Sequence, residues 1–189
     1  MRYRPFERYH FKRLRLPIYD SLVNGIENIK KEHPINSVLD IGCSCGVLLN
    51  KISCEYKVGI DYGLPERVMD CHNFLYYDND LNNPPFFISI FDLIICQEVI
   101  EHIKSENENN ILGLIHSNSK KGTVLIFSGA VPGQKGRCHI NCRPVKYWED
   151  KLLSCNFHYN RRLTRLYKET LPKASCYYQN TLVYIKGDK

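Results

Sequence analysis

The segment Val38-Leu39-Asp40-Ile41-Gly42-Cys43-Ser44-Cys45-Gly46 does most to restrict what this chain can fold into. A short apolar run that ends near an acid and breaks at glycine reads as a buried parallel strand, which delivers the chain into a tight turn and then a helix. Val58-Gly59-Ile60-Asp61 is a second run of the same kind. Parallel neighbours need a crossover between them, so the pair predicts a βαβ unit. It also predicts an open α/β sheet that takes its ligand at the carboxyl ends of the strands.

The rest of the chain extends this pattern. Ile18, Leu22, Ile26 and Ile29 recur at helical spacing, with Pro17 at the expected first turn and Pro34 barring continuation. Strands are predicted over 73–77, 91–96 and 122–128, with helices over 98–104 and 109–117 between them. Alternating strands and helices give right-handed crossovers and a doubly wound, Rossmann-like, mostly parallel α/β sheet. Beyond residue 128 comes a Gly/Pro-bearing loop to Pro144, a helix near 147–153, and strand-like runs near Phe157 and at 181–185. A loop of about 15 residues in a compact domain suggests a functional lid. The expected organisation is a single domain: a basic arm and helix (1–34), a ligand-binding core (37–128), and a loop with C-terminal strands (129–189).

Composition narrows the class. A chain of 189 residues with 43% hydrophobic and 24% charged residues is neither disordered nor fibrous and can bury one sizeable core. No run reaches the roughly 20 apolar residues of a membrane span, and the first 17 residues alternate arginine with aromatics, so a cytoplasmic location without membrane contact is expected. Nine cysteines, three of them on apolar strand ends (Cys43, Cys45, Cys96), suit reduced thiols, while Cys138 and Cys142 lack the second pair of a structural zinc site. The net charge is +6, with six basic residues among the first 15 interleaved with Tyr3, Phe6, Tyr9 and Phe11. Such an arm suits phosphates and bases, although packing of its aromatics on the domain is the preferred reading. Oligomeric state is not legible.

A dinucleotide fingerprint would need glycine at 42, 44 and 47, but Ser44 and Val47 stand at the last two, which argues against a nicotinamide oxidoreductase. The 38–46 segment instead resembles the first motif of class I S-adenosylmethionine-dependent methyltransferases. That resemblance implies that Asp40 contacts the amino-acid end of the cofactor, directly or through water, and that Gly42, Cys43, Ser44 and Gly46 line the turn. The family commonly has glycine where Ser44 stands. Asp61 ends the second strand 19 residues after Gly42, the distance at which a carboxylate meets a ribose diol in this architecture. Asp80-Leu81 resembles the pair that brackets adenine, with Asp78 competing for the role. Residues 91–103 (FDLIICQEVIEHI) resemble the fourth motif, which implies Cys96 and Gln97 near the cofactor sulfonium. Residues 127–152 and 177–184 resemble a group of small class I methyltransferases with a Pro-Gly-Gln-x-Gly loop, a His-x-Asn and a Tyr-Trp after the fifth strand.

Methyl transfer from a sulfonium is an in-line displacement, so the protein must position donor and acceptor and, for hydroxyl or amine acceptors, accept a proton. Glu98 and His139 are the catalytic candidates, with Glu98, Glu101 and His102 expected at i, i+3 and i+4 on one helix face. For Glu101 and His102 a bracing role is preferred, and no metal ligand is assigned. The set Glu98, Glu101, His102 and His139 nevertheless suits a divalent cation and resembles the quartet of the methyltransferases that modify the 3′-terminal ribose of small RNAs. Tyr147 and Trp148 are an aromatic wall for the acceptor or part of the core. Arg137, Arg143 and Lys146 suit an anionic acceptor or form a solvated rim. The favoured reading is methyl transfer to oxygen or nitrogen of a small molecule or sugar. The alternatives are metal-assisted RNA ribose methylation and a non-catalytic module that binds cofactor or, through its arm, nucleic acid.

Overall fold

A computed structural model describes residues 17–62, 73–85 and 89–188, so the basic arm lies outside the described residues. The described residues open with α1 (Ile18–Lys30), whose buried face is Leu22, Gly25, Ile26 and Ile29. Then follow β1 (Ser37–Ile41), α2 (Val47–Lys51), β2 (Tyr56–Asp61), β3 (Leu75–Asp78) and β4 (Phe91–Gln97). Two short 3-10 turns (Ile100–His102 and Ser105–Asn107) precede α3 (Glu108–Ser117) and β5 (Ser119–Ser128). The chain ends with α4 (Val145–Ser154), β6 (Phe157–Tyr159), α5 (Arg161–Lys168), α6 (Cys176–Asn180) and β7 (Leu182–Lys186).

Among the described residues seven strands form one sheet in the order β3-β2-β1-β4-β5-β7-β6. β1 to β5 pair in parallel, while β7 runs antiparallel to β5 and carries β6 antiparallel on its far side. This is the doubly wound sheet expected, with an antiparallel edge. Strand order reverses between β1 and β4, which places a crevice at their carboxyl ends, after Asp40 and Gln97.

Side chains alternate across the sheet. Val38, Leu93, Ile95, Val124, Ile126 and Val183 pack with α1 and α5 on one face, where Tyr167 is fully buried. Leu39, Ile41, Ile94, Leu125, Phe127 and Tyr184 pack with α3 and α4 on the other. Because both faces are covered, the central strands read as continuous apolar runs rather than alternating ones.

Three expectations are corrected. The third strand begins at Leu75 rather than residue 73, and β5 begins at Ser119 rather than residue 122. The regular helix expected over 98–104 is a single 3-10 turn, Ile100–His102. Glu98 takes φ +55, a left-handed conformation that turns the chain out of β4 before a helix can start. Among the described residues no helix is long and apolar enough to cross a membrane.

Candidate functional site

The turn after β1 is built on two glycines whose left-handed backbone and close neighbours disfavour any side chain. Gly42 has φ +79, and a Cβ there would stand 2.2 Å from Val99 Cγ2. Gly46 has φ +76, and a Cβ there would stand 2.0 Å from Phe74 Cζ. The amides of Gly42 and Cys43 both donate to the Ile60 carbonyl, at 2.8 and 3.2 Å, which stitches the turn to β2. Ser44, also left-handed at φ +52, directs its amide to Asp61 Oδ2 at 2.6 Å. The amide of Tyr62 donates to Asp61 Oδ1 at 2.6 Å, so both oxygens of this half-buried carboxylate are aligned by backbone.

Asp40 is 5% exposed on the strand next to it. Burial pushes its carboxyl up to about 7, and the neighbouring Asp61 charge adds to the shift. Two acids at one strand-end crevice create a negative field, and bringing a cation to it would relieve the repulsion. The Cys43 thiol is held well above its usual range by burial, then by the charges of Asp40 and Asp61. Burial likewise raises Cys96, which is 0% exposed and within electrostatic reach of Glu101 and Asp40. Neither thiol is an activated nucleophile.

The other sequence candidates divide. Asp80 is exposed, and its Oδ1 accepts from the amide and side chain of Asn82 in a local turn, while Leu81 is buried in the core. The Gln97 amide group is engaged at both ends, donating to Thr181 Oγ1 and accepting from Tyr167 Oη, each at 2.8 Å. It thereby ties β4 to α5 and to the start of β7. Trp148 is 3% exposed and packs on Phe127 at 5.7 Å between ring centroids, so it belongs to the core. The Tyr147 hydroxyl donates to Glu108, which also accepts from Asn141 at 3.2 Å and pairs with Lys151 at 3.2 Å. Tyr147 is therefore committed to anchoring α4 on α3. Arg143 stacks on the Tyr147 ring, 5.1 Å from its centroid, and donates to Asn141 Oδ1 at 3.0 Å.

The long loop folds back over the carboxyl end of β4. Because 98–104 is not a helix, Glu98 and Glu101 do not share a helical face. The Glu98 carboxylate instead accepts from Asn180 Nδ2 at 3.1 Å and from Gln134 Nε2 at 3.5 Å. The loop is pinned at its far side by the amides of Ile140 and Asn141, both donating to the Glu101 carbonyl at 2.9 and 3.0 Å. His139 Nδ1 lies 3.3 Å from the Gln134 carbonyl, and His102 Nδ1 lies 3.0 Å from the Cys138 carbonyl. Gln134 thus joins the two catalytic candidates, meeting Glu98 with its side chain and His139 with its backbone. Sequence reading had seen Gln134 and Asn180 only as parts of motifs. Only contact across 36 and 82 residues reveals them as partners of Glu98.

The sequence matches the family described as a methyltransferase domain over residues 8–170. Compared with curated proteins by sequence, it matches none. Among solved structures it is similar to the sugar N-methyltransferase KedS8 from Streptoalloteichus sp. ATCC 53650, with TM-score 0.73, 11% identity, and coverage of 96% of this chain and 93% of that one. It is also similar to an S-adenosylmethionine-dependent methyltransferase from Clostridium acetobutylicum ATCC 824, with TM-score 0.66, 13% identity, and coverage of 96% and 98%. A third similar structure is the plantazolicin methyltransferase BpumL in complex with a pentazolic desmethylPZN analog and SAH, with TM-score 0.61, 12% identity, and coverage of 96% and 90%. With the sheet order, the glycine turn and the paired strand-end acids already in place, the chain belongs to the methyltransferase-domain family and is a class I, S-adenosylmethionine-dependent methyltransferase.

Proposed function

We propose that this enzyme methylates an oxygen or nitrogen of a small, hydroxyl-bearing acceptor, such as a sugar, held beneath the 129–146 loop. In this reading the 42–46 turn and Asp40 hold the methionine end of the cofactor, with Gly42, Cys43, Ser44 and Gly46 as its floor. Asp61 takes the ribose diol, Leu81 and the Asp80 turn flank adenine, and Cys96 and Gln97 border the sulfonium. The donor set fits the cofactor chemically. A buried carboxyl raised to about 7 beside a second acid is suited to a molecule that brings an ammonium and a sulfonium. A carboxylate already aligned by two amides accepts from two adjacent hydroxyls without reorganising.

The observation that carries the acceptor side is the Glu98–Gln134–His139 connection above the crevice. When bound, the cofactor supplies an electrophilic methyl carbon. What the chain contributes is orientation and proton removal. If His139 Nδ1 donates to the Gln134 carbonyl, Nε2 carries the lone pair that takes the acceptor's proton. Glu98 supports the cationic imidazole electrostatically through the loop.

A screen of amino sugars, neutral sugars and hydroxylated small molecules with methyl-labelled cofactor tests this reading. Label transfer to at least one, reduced about 100-fold in His139→Ala and Glu98→Gln with cofactor affinity intact, is the expected result. Transfer undiminished in both variants would remove them from the chemistry.

A further inference from the structure

Beside the crevice a second set of groups converges without any hydrogen-bonding account of its central member. Glu101 is 1% exposed, and neither of its carboxylate oxygens has a hydrogen-bond partner. An unpartnered buried carboxylate is destabilising, and a fold keeps one where something compensates it.

The compensating geometry is present. One ligand atom from each of Glu101, His102 and His139 lies within 4.8 Å of the others, and the two imidazoles meet edge to face at 5.1 Å between centroids. Each imidazole has its Nδ1 on a backbone carbonyl, Cys138 for His102 and Gln134 for His139. A carbonyl only accepts, so Nδ1 bears the hydrogen, and in the neutral imidazole Nε2 then carries the lone pair. This is the outer-shell arrangement that orients metal-binding histidines. The ring of His139 lies flat against Gly136, where a Cβ would come within 2.0 Å of Nε2, so the loop sequence keeps that position bare. Glu101 is buried while both histidines are half exposed, which opens the cluster to solvent on the imidazole side. Glu98 stands apart, held by Asn180 and Gln134.

We infer that Glu101, His102 and His139 form a binding site for a divalent transition ion, with the carboxylate as the buried anchor and the solvent side left for an oxygen ligand. Two imidazoles and one carboxylate suit zinc, manganese or cobalt rather than magnesium or calcium. The ion would lock the loop to the turn after β4, because one ligand comes from the loop and two from the turn. It would also polarise an acceptor hydroxyl, lowering the hydroxyl's pKa. That last role rests on the methyl-transfer reading above and changes His139 from proton acceptor to ligand, but binding of the ion itself does not depend on it.

The test uses the full-length, untagged protein after dialysis against chelator, titrated calorimetrically with zinc chloride and with manganese chloride and optically with cobalt chloride, all without cofactor. Expected is one ion per chain, a raised melting temperature on binding, and affinity lowered about 100-fold in both Glu101→Gln and His139→Ala. Glu101→Gln removes the buried charge and keeps the side chain's size, so it folds at least as well as the parent and keeps the comparison clean. No heat and no cobalt spectrum from the parent protein, or affinity unchanged in both variants, would overturn the site. A parallel titration with S-adenosylmethionine separates the two readings: loss of ion binding with cofactor binding intact sinks this proposal alone, and the reverse result sinks only the cofactor assignment.

Discussion

The Ser44 amide donates to Asp61 Oδ2 at 2.6 Å, so the turn after β1 is held in place by the acid at the end of β2. The residue proposed to bind the ribose therefore also shapes the surface proposed to bind the methionine end, and the two halves of the cofactor site form one structural unit.

Asp61→Ala should weaken S-adenosylmethionine binding by about 1.5–3 kcal/mol, the scale of charge-assisted hydrogen bonds, or roughly 10- to 150-fold in Kd. Asp61→Asn, which retains an acceptor for the Ser44 amide, should lose less. Isothermal titration measures both, and an Asp61→Ala affinity equal to wild type would remove Asp61 from the site.

Acid should stabilise the cofactor-free protein while weakening its grip on the cofactor. Asp40 and Glu101 both have folded-state carboxyls raised to about 7, above their ordinary values. The folded state thus holds more protons than the unfolded chain between about pH 4 and 7, and stability falls as pH rises through that window. Melting temperatures at about pH 5.5 and 7.5 should show the higher value in acid, with the difference smaller in Asp40→Asn. Affinity for the cationic cofactor should rise with pH up to about 7, by up to about tenfold per unit, and flatten above it. A pH-independent affinity would separate Asp40 from the ligand.

Gly42→Ala should be among the most damaging single changes. It forces a β-carbon onto the buried Val99 at a backbone conformation that side chains disfavour. The cost should be about 2–4 kcal/mol in chemical denaturation, combining backbone strain with overpacking. Retention of wild-type stability would mean that the turn relaxes freely.

Tyr147→Phe distinguishes an anchor from an acceptor wall. Removing its hydroxyl deprives Glu108 of one partner but leaves Asn141 and Lys151. A loss of about 1–2 kcal/mol in stability with cofactor affinity unchanged is expected. Undiminished stability with impaired turnover would restore Tyr147 to the acceptor site.

What the sequence determined by itself was whatever local periodicity and short spacing can encode. The apolar run to Asp40, the glycine turn and the acid at Asp61 all act between adjacent βαβ elements, and they identified the doubly wound sheet, the strand ends that take the ligand, and the family. Helix α1 was legible because a single apolar face is written at helical spacing from Ile18 to Ile29. Helix α5 was not predicted although Leu163, Leu166 and Tyr167 share one face at helical spacing, and α6, five residues long, is too short to show a period. Tertiary structure decided the rest, because it depends on contacts between distant residues. Glu98 leaves β4 with φ +55, which broke the expected helix, gave the Glu98 carboxylate to Asn180 and Gln134, and left that of Glu101 buried without a hydrogen bond. Trp148 and Tyr147 became core and anchor once α4 packed on Phe127 and α3. The sequence could group Glu98, Glu101, His102 and His139 only by resemblance; the return of the loop brought His139 across 38 residues to His102 and the buried Glu101 and left Glu98 with Asn180 and Gln134, because such contacts leave no period in the chain to read.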